Sequence, residues 1–261
     1  MTLSKTIITR STNHTRFVAV DAWKRLGLIT LSTDLTTERD YRNIFPADDV
    51  GLYTSRVPFE NPTNTDNLKL MAPRLTSAAA LLPDDQLLAA ICYSCTAASV
   101  VIGDDAIKSA VQNHFPNTPV VTPSLSAVRA FSALNARKIS VLTPYTIGTS
   151  EPMATYFRQH GLDICQFQCL GIEDDREMAR VSEESIIEAA ILADHPSSEA
   201  LFIFCTVFPA VNVIDEIEQR LGKPVVTSNQ ATAWMMLQHA NIKHIPQNFG
   251  QLFSYTAATL D

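Results

Sequence analysis

Eight short apolar runs alternate with stretches of helical periodicity along this chain. Such alternation is typical of an α/β protein, because strands of a parallel sheet are buried on both faces and read as continuous apolar segments. The predicted strands span residues 26–31, 52–57, 87–95, 119–122, 138–143, 164–170, 200–206 and 224–227. The clearest predicted helices span residues 67–82, 98–113, 125–135, 177–193, 211–221 and 231–240.

The order of these segments repeats once. The run NTPVVTPS at 117–124 resembles GKPVVTSN at 222–229, and each lies downstream of a strand that ends in Cys-Thr. Cys95 and Cys205 are 110 positions apart, a spacing that two diverged copies of one α/β unit would give. Generic strand composition is the alternative explanation. We therefore predict two similar α/β domains, the first formed by 1–122 plus 229–261 and the second by 123–228.

Composition narrows the possible partners. The 261 residues are 46% apolar, which is enough for a buried core, and 20 basic against 27 acidic residues give a net charge of −7. This acidic balance argues against binding to nucleic acid or to an anionic membrane surface. A small anionic or zwitterionic substrate remains possible, because helix N-termini bind anions through backbone N–H groups. The common glycine-rich nucleotide loops are missing from the sequence.

The location of the protein is predicted from two negative features. The sequence has no apolar run of the length that spans a bilayer, and its first residues lack the apolar core of a signal peptide. We therefore predict a cytoplasmic protein without a membrane segment. In that compartment the five cysteines are expected to be thiols.

The two Cys-Thr pairs mark the predicted site. Ligands of open parallel sheets bind beyond the carboxyl ends of the strands, which places Cys95-Thr96 opposite Cys205-Thr206 across a cleft. Backbone N–H groups after each cysteine should stabilise a thiolate and lower the thiol pKa. Two thiols on opposite sides of a small substrate can move a proton from one face to the other. Alternatively, one can act as nucleophile and the other as acid.

Other interpretations of the cysteines stay open. Free cysteine is among the most buried residue types, so both could be packing residues. Cys92 and Cys95 form a CxxC pattern, but a redox pair is disfavoured because these positions should face opposite sides of a strand. Cys165 and Cys169 are too far apart on a strand to bridge and are interpreted as packing residues. The histidines show no zinc-ligand spacing, and no metal site is predicted.

Two loops at strand ends supply further candidates. Asp34 follows the first strand, where its carboxylate would either cap the next helix or reach the cleft. Tyr145 occupies the equivalent place in the second half, and its hydroxyl could donate a hydrogen bond into the cleft. If the loops close on a small anion, the expected backbone donors are Thr96, Ala97, Thr206 and Val207.

In this order and spacing, these segments resemble the Asp/Glu racemase superfamily. Within it, the chain looks most like the branch that holds maleate cis–trans isomerase, arylmalonate decarboxylase and the ectoine-utilisation (EutA-type) proteins. The resemblance runs from about Leu26 to Ala240. It rests on residues 32–38, 94–99, 143–146, 205–206 and 224–231. It implies a pseudosymmetric two-domain α/β fold, catalysis without a metal or organic cofactor, and a homo-oligomer, either a dimer or a tetramer.

The resemblance also implies roles for individual residues. In the isomerases the first cysteine adds to a double bond and the second is an acid/base, which makes Cys95 the nucleophile and Cys205 the proton donor here. In the racemases two thiols deprotonate and reprotonate a Cα atom from opposite faces. The decarboxylases of the branch keep only the second cysteine, so decarboxylation is disfavoured. Tyr145 matches the tyrosine that contacts the substrate carboxylate.

Two departures from the isomerase pattern bear on the substrate. The isomerases carry asparagine where this chain has Asp34, and a second asparagine where the acidic run 173–177 supplies Asp175. An asparagine side chain donates hydrogen bonds to a carboxylate, whereas an ionised aspartate only accepts them. We therefore expect a substrate with an amino, hydroxyl or amidine group rather than maleate. The acidic runs near Asp34 and Asp175 resemble the EutA-type subgroup, which is linked to ectoine or hydroxyectoine breakdown.

The sequence thus predicts a cofactor-independent isomerase or racemase that uses two cleft cysteines. Its expected substrate is a small polar acid, derived from ectoine or hydroxyectoine or of the aspartate type. Maleate cis–trans isomerase is the alternative enzyme, and a non-catalytic small-molecule binding protein is the alternative of another class.

Overall fold

The computed structural model describes residues 6–83, 87–244 and 246–259, and in it the strands form two four-stranded parallel sheets. The first sheet has the order β2-β1-β3-β4. Its strands are β1 Lys24–Leu31, β2 Val50–Val57, β3 Leu88–Ser94 and β4 Val120–Val121. The second sheet has the order β6-β5-β7-β8. Its strands are β5 Lys138–Thr143, β6 Asp163–Cys169, β7 Ala200–Ile203 and β8 Val225–Thr227.

The two sheets repeat one topology. Each strand of the first sheet has its counterpart four strands later, at the same place in the order. This confirms the predicted α/β class and the repeat of one unit. It also makes the end of β3, which leads to Cys95, equivalent to the end of β7, which leads to Cys205. The exact domain boundaries stay a prediction, and residues 1–5, 84–86, 245 and 260–261 of the first predicted domain lie outside the described residues.

Eleven α-helices connect and cover the strands in the described part of the chain. They are α1 Thr37–Ile44, α2 Thr65–Lys69, α3 Leu75–Ala79, α4 Thr96–Ile102, α5 Asp104–Gln112, α6 Pro123–Ala133, α7 Ile147–Gln159, α8 Asp175–Met178, α9 Glu183–Ala193, α10 Ile214–Leu221 and α11 Ser228–His239. Three short 3-10 turns lie at Ala72–Arg74, Val211–Val213 and Gln251–Ser254.

Three predicted helices are broken. The stretch 67–82 divides at Ala72–Arg74, where Pro73 lacks the N–H that an α-helix requires. The stretch 98–113 divides at Gly103. Its φ of 94° is a non-helical backbone conformation that glycine adopts readily. The stretch 177–193 divides before α9, where the Ser182 hydroxyl accepts from the Ser185 N–H as an N-cap. Local backbone chemistry overrides the apolar periodicity in each case.

Two further differences concern the second half. The predicted strand 200–206 ends at Ile203, so Cys205 stands in the loop beyond the strand. The predicted helix 211–221 begins with a 3-10 turn at Val211–Val213, and only its remainder, α10, is α-helical. Helix α7 is well formed although Pro152 interrupts its sequence pattern. Because proline is unfavourable inside a helix, the sequence pattern did not predict α7.

Helix α11 joins the two halves. Its first ten residues are all buried, and it contacts both β3 of the first sheet and β8 of the second. A capping box between Thr227 and Gln230 fixes where the helix begins. The polar side chains on these buried turns therefore lie between the sheets, beside the ends of β3 and β7.

None of the helices in the described ranges is both long enough and apolar enough to cross a membrane. The cytoplasmic location stays a prediction. The expectation about a signal peptide falls partly on residues 1–5, outside the described residues.

Candidate active site

The two predicted cysteines stand at equivalent places in the two halves. Cys95 follows β3 directly and is the N-cap residue of α4. Cys205 lies two residues beyond the end of β7. Each is only 4% exposed. The structure thus places both thiols beyond the carboxyl ends of matching strands, inside the protein.

The backbone at Cys205 is unusual. Its φ is 95°, in a region that side chains with a Cβ rarely adopt. The Cys205 N–H donates to Ser228 Oγ at 3.1 Å, and the Thr96 hydroxyl donates to the same oxygen at 2.9 Å. Ser228 begins α11, so one buried hydroxyl ties the loop after β7 to the start of α4. Strained backbone of this kind persists only where its surroundings hold it, and it is frequent at functional sites.

Burial raises the pKa of both thiols. The pKa of Cys95 lies well above its usual value, and that of Cys205 is raised to about 12. The backbone N–H of Ala98 lowers the pKa of Cys95, and those of Val207 and Phe208 lower that of Cys205, as expected for helix and loop donors. Desolvation outweighs these donors. The predicted net lowering of the thiol pKa is therefore wrong, and both groups rest as neutral thiols.

Tyr145 lies beside the second thiol. Its hydroxyl hydrogen-bonds Cys205 and lowers the pKa of that thiol. Its ring packs edge-on against Phe204, with centroids 5.9 Å apart. Burial raises the pKa of Tyr145 itself, and its electrostatic coupling to Cys205, Cys95 and Asp175 raises it further. The structure therefore brings Tyr145 together with both cysteines.

Asp175 is a buried carboxylic group facing the same space. One oxygen accepts from the Thr33 hydroxyl at 2.8 Å and the other from the Thr63 hydroxyl at 2.9 Å. Burial raises the pKa of Asp175, and these two hydroxyls lower it. Its charge in turn raises the pKa of Cys95 and of Cys205. Asp175 thus joins the two thiols and Tyr145 in one electrostatically coupled cluster.

Asp34 is held differently. Its Oδ1 accepts from the N–H groups of Thr36 and Thr37 at 2.7 and 2.9 Å. Its Oδ2 accepts from the hydroxyls of Thr30 and Thr37, both at 2.6 Å. Four donors occupy the lone pairs of a carboxylate. This geometry favours the capping interpretation of Asp34, and its direct contact with a substrate stays a prediction that the geometry does not favour.

The four predicted backbone donors are all buried at the two strand ends. The Val207 N–H already serves the Cys205 thiol, and the Val207 carbonyl accepts from the Thr36 hydroxyl at 2.6 Å. The Thr206 hydroxyl donates to the Ser94 carbonyl at 3.3 Å. These bonds join the two halves, the last of them at residues that adjoin Cys95 and Cys205 in the chain. The role of Thr96, Ala97, Thr206 and Val207 as anion donors stays a prediction.

Sequence reasoning missed the residues that close the site. Thr63 comes from a loop after β2, donates its N–H to the Glu173 carbonyl at 2.8 Å, and accepts from the Thr149 hydroxyl. Thr33 lies next to the predicted Asp34, yet it is Thr33 whose hydroxyl reaches Asp175. The only sequence signal is the density of threonine in these loops.

The remaining cysteines lie elsewhere. Cys92 is buried beside the Tyr41 hydroxyl, 3.4 Å away, and burial raises its pKa to about 12. Cys165 and Cys169 lie on β6 and are half-buried. All five cysteines are free thiols. Among the residues the structure describes, no three His, Cys, Asp or Glu side chains group closely enough to hold a metal ion.

The fold and the site together define a class. This is a pseudosymmetric α/β protein with two parallel sheets of identical strand order and one cysteine beyond the matching strand of each. The model of the arylmalonate decarboxylase (Amdase) family matches residues 76–253, more than half of the chain. The chain belongs to this family.

Named relatives agree with this assignment. A maleate isomerase of Alcaligenes faecalis is 22% identical over 245 residues, covering 88% of this chain and 96% of the relative. An arylmalonate decarboxylase of Bordetella bronchiseptica is 29% identical over 139 residues, covering 52% and 58% of the two chains. These relatives confirm the prediction that the chain is an enzyme. Kinship with the EutA-type proteins stays a prediction.

Solved structures match the fold over most of its length. A maleate isomerase from Pseudomonas putida S16 with maleate superposes with a TM-score of 0.82 at 21% identity, covering 91% of this chain and 99% of that one. A mutant maleate cis-trans isomerase from Nocardia farcinica, with a covalently bound succinylcysteine intermediate, also gives 0.82 at 21% identity. Coverage there is 88% and 98%. Both comparisons confirm the fold.

Proposed function

We propose that this chain is a cofactor-independent isomerase or racemase in which Cys95 and Cys205 work as a pair on a small polar acid. The observation that carries the proposal is the placement of two buried thiols at equivalent strand ends, coupled to each other and to Asp175. Packing alone would not require a thiol at both places or a strained backbone at one of them.

The proposed racemisation needs one thiol ionised and one neutral. The ionised thiol takes the proton from the substrate Cα, and the electron pair of that C–H bond stays on carbon. The neutral thiol then delivers its own proton to the opposite face, so the chain ends with the charge moved from one sulfur to the other. Because both thiols rest neutral, the first must release its proton to solvent as the substrate binds.

The cis–trans alternative uses the same groups. A Cys95 thiolate adds to one carbon of a double bond, Cys205 protonates the other, and rotation about the new single bond precedes the reverse steps. The family and the maleate isomerase relatives favour an isomerase of this kind. Tyr145, which hydrogen-bonds Cys205, would hold a substrate carboxylate next to the proton donor.

Asp175 supports a narrower choice of substrate. A carboxylate buried beside the thiols repels a second anion unless the substrate brings a hydrogen-bond donor to face it. An amino, hydroxyl or amidine group would do this. We therefore propose a zwitterionic or hydroxylated acid, of the aspartate type or derived from ectoine or hydroxyectoine, as in a EutA-type role. Maleate, with two carboxylates and no donor, is the less favoured substrate.

The test is proton NMR in D₂O with a defined panel. The panel holds maleate, both enantiomers of aspartate and of 3-hydroxyaspartate, ectoine, hydroxyectoine and their ring-opened forms. Wild type is compared with Cys95→Ala, Cys205→Ala and, as a matched control, Cys165→Ala on β6. Exchange of the Cα proton or conversion between isomers should disappear in the first two variants and persist in the control.

Other outcomes reject the proposal. Full turnover in both cleft variants would exclude the thiol pair. Thermal stabilisation by one compound, without turnover of any, would favour the non-catalytic binding protein instead. The homo-oligomer, dimer or tetramer, is a separate expectation that light scattering of the purified protein would check.

A further inference from the structure

Asn229 holds the carbonyl next to the second cysteine. It is the second residue of α11 and is buried. Its Nδ2 donates to the Thr206 carbonyl at 2.8 Å and to Asp40 Oδ2, also at 2.8 Å. Both partners are acceptors, so the amide group can only lie with its nitrogen toward them. Cys205 is therefore anchored on both sides, through its own N–H on Ser228 and through the Thr206 carbonyl on Asn229.

Two oxygens of the Asp40 and Asn229 side chains lack a hydrogen-bond partner in the part of the chain that the structure describes. Asn229 Oδ1 and Asp40 Oδ1 are both buried, and neither has a hydrogen-bond partner among the described residues. An amide oxygen only accepts, and so does an ionised carboxylate. Leaving both unpaired inside the protein would cost the desolvation of two polar atoms. The two side chains are already joined through Asn229 Nδ2 and Asp40 Oδ2, and a proton on Asp40 Oδ1 that is shared with Asn229 Oδ1 would satisfy both remaining oxygens.

We propose that Asp40 is a neutral carboxylic acid in weakly acidic solution and donates its O–H to Asn229 Oδ1. The resulting acid–amide pair fixes the Thr206 carbonyl. Asp40 is thereby a positioning residue for the Cys205 loop, residues 204–210 between β7 and the turn Val211–Val213. This rests on the proposed function only in so far as the Cys205 loop is part of the active site.

Burial is the main reason for Asp40 to hold a proton, and the charged groups around it act in both directions. Burial raises the pKa of Asp40 to about 7, and the nearby charge of Asp34 raises it as well. The hydrogen bond from Asn229 lowers it, and so does Arg39, whose guanidinium lies 3.7 Å from Asp40 Oδ1. Arg39 is half exposed, so solvent screens its effect. Asp34, Arg39 and Asn229 are the groups that face Asp40 from the preceding loop, from α1 and from α11.

A conservative variant separates this role from simple packing. Asp40→Asn keeps the shape and supplies an amide N–H to Asn229 Oδ1 and an oxygen to its Nδ2, without a proton to lose. Asp40→Ala removes both. The control is Asp48→Asn, an exposed acid in the turn after α1.

The first readout is infrared spectroscopy of the three proteins. At pH 5.5 wild type should show a carboxylic-acid C=O band that is missing from Asp40→Asn and remains in Asp48→Asn. This band should titrate away as the pH rises to 8.5. A wild-type spectrum identical to that of Asp40→Asn at pH 5.5 would mean that Asp40 is ionised and would overturn the proposal.

The second readout is alkylation of Cys205 by iodoacetamide in a Cys95→Ala background, followed by peptide mass spectrometry. Asp40→Ala should speed alkylation at least fivefold, because Asn229 loses the partner that orients its amide group and then holds the Thr206 carbonyl, next to the buried thiol, less firmly. Asp40→Asn should stay within twofold of the parent. Equal rates in all variants would overturn the positioning role. Neither readout needs turnover, so these results stay separate from failure of the proposed function.

Discussion

The Thr33 hydroxyl donates to Asp175 Oδ2 at 2.8 Å, across 142 positions of sequence. This bond joins the loop after β1 to the first residue of α8, and the Thr63 hydroxyl completes the contact from a third loop. Loops from both halves therefore meet at Asp175, a buried acid that is electrostatically coupled to both cysteines. The chemistry of the thiols depends on that burial more than on the helix N-termini beside them.

Removal of the charge at Asp175 should make both thiols more acidic. Asp175→Asn keeps the acceptor for Thr33 or Thr63 but takes away the negative charge that raises the pKa of Cys95 and Cys205. We expect iodoacetamide to label both cysteines several-fold faster at pH 8. At a pH well below the pKa, a fall of one unit in the thiol pKa raises the thiolate fraction about tenfold. Glu173→Gln, an exposed neighbour, should leave both rates unchanged, and equal rates in the two variants would contradict the prediction.

The same variant should change substrate preference. With asparagine at position 175, the cleft gains a donor and loses its repulsion of a second carboxylate. We expect kcat/KM for maleate to rise at least tenfold, while that for a substrate with an amino or hydroxyl donor falls. Steady-state kinetics on the panel compounds would measure both. A parallel loss for every substrate would show that Asp175 only supports the loops.

Tyr145→Phe should act on one thiol only. Its hydroxyl lowers the pKa of Cys205, which burial holds at about 12, so its removal raises that pKa further. The group reacts as the thiolate, which forms only as the pH rises through the pKa. Cys205 alkylation between pH 8 and 10 should therefore slow several-fold, while Cys95 is little affected. The control is Tyr53→Phe on β2, and mass spectrometry would assign each rate.

The strands and the two thiols could be predicted from the sequence, but the pKa values of the thiols could not. Apolar runs and the repeated Cys-Thr pairs were enough to predict the parallel sheets, their repeat and the two thiols at matching strand ends. They were not enough to predict the direction of the thiol pKa shift, because desolvation of the thiols depends on loops that are distant in sequence. Thr63 lies 112 positions from Asp175, and nothing local in the sequence pairs them.

Cys205 carries a conformational cost that glycine would relieve. At a φ of 95°, any side chain with a Cβ is strained, so Cys205→Gly should be more stable than Cys205→Ala by roughly 1 kcal/mol. The matched pair Cys165→Gly and Cys165→Ala on β6 should show the opposite order, because glycine weakens a strand. Urea unfolding of the four variants would measure both differences. The same order at both sites would argue against strain at Cys205.

Asp34→Ala should damage stability before it damages substrate binding. The substitution leaves the N–H groups of Thr36 and Thr37 and two threonine hydroxyls without their acceptor at the start of α1. We expect a loss of about 2–4 kcal/mol in the free energy of unfolding, more than the roughly 1 kcal/mol typical of one exposed cap. Ser182→Ala, which removes the cap of α9, provides that comparison. Unchanged stability in Asp34→Ala together with a raised KM would instead assign this carboxylate to the substrate, because a group that only binds ligand has no reason to support the fold.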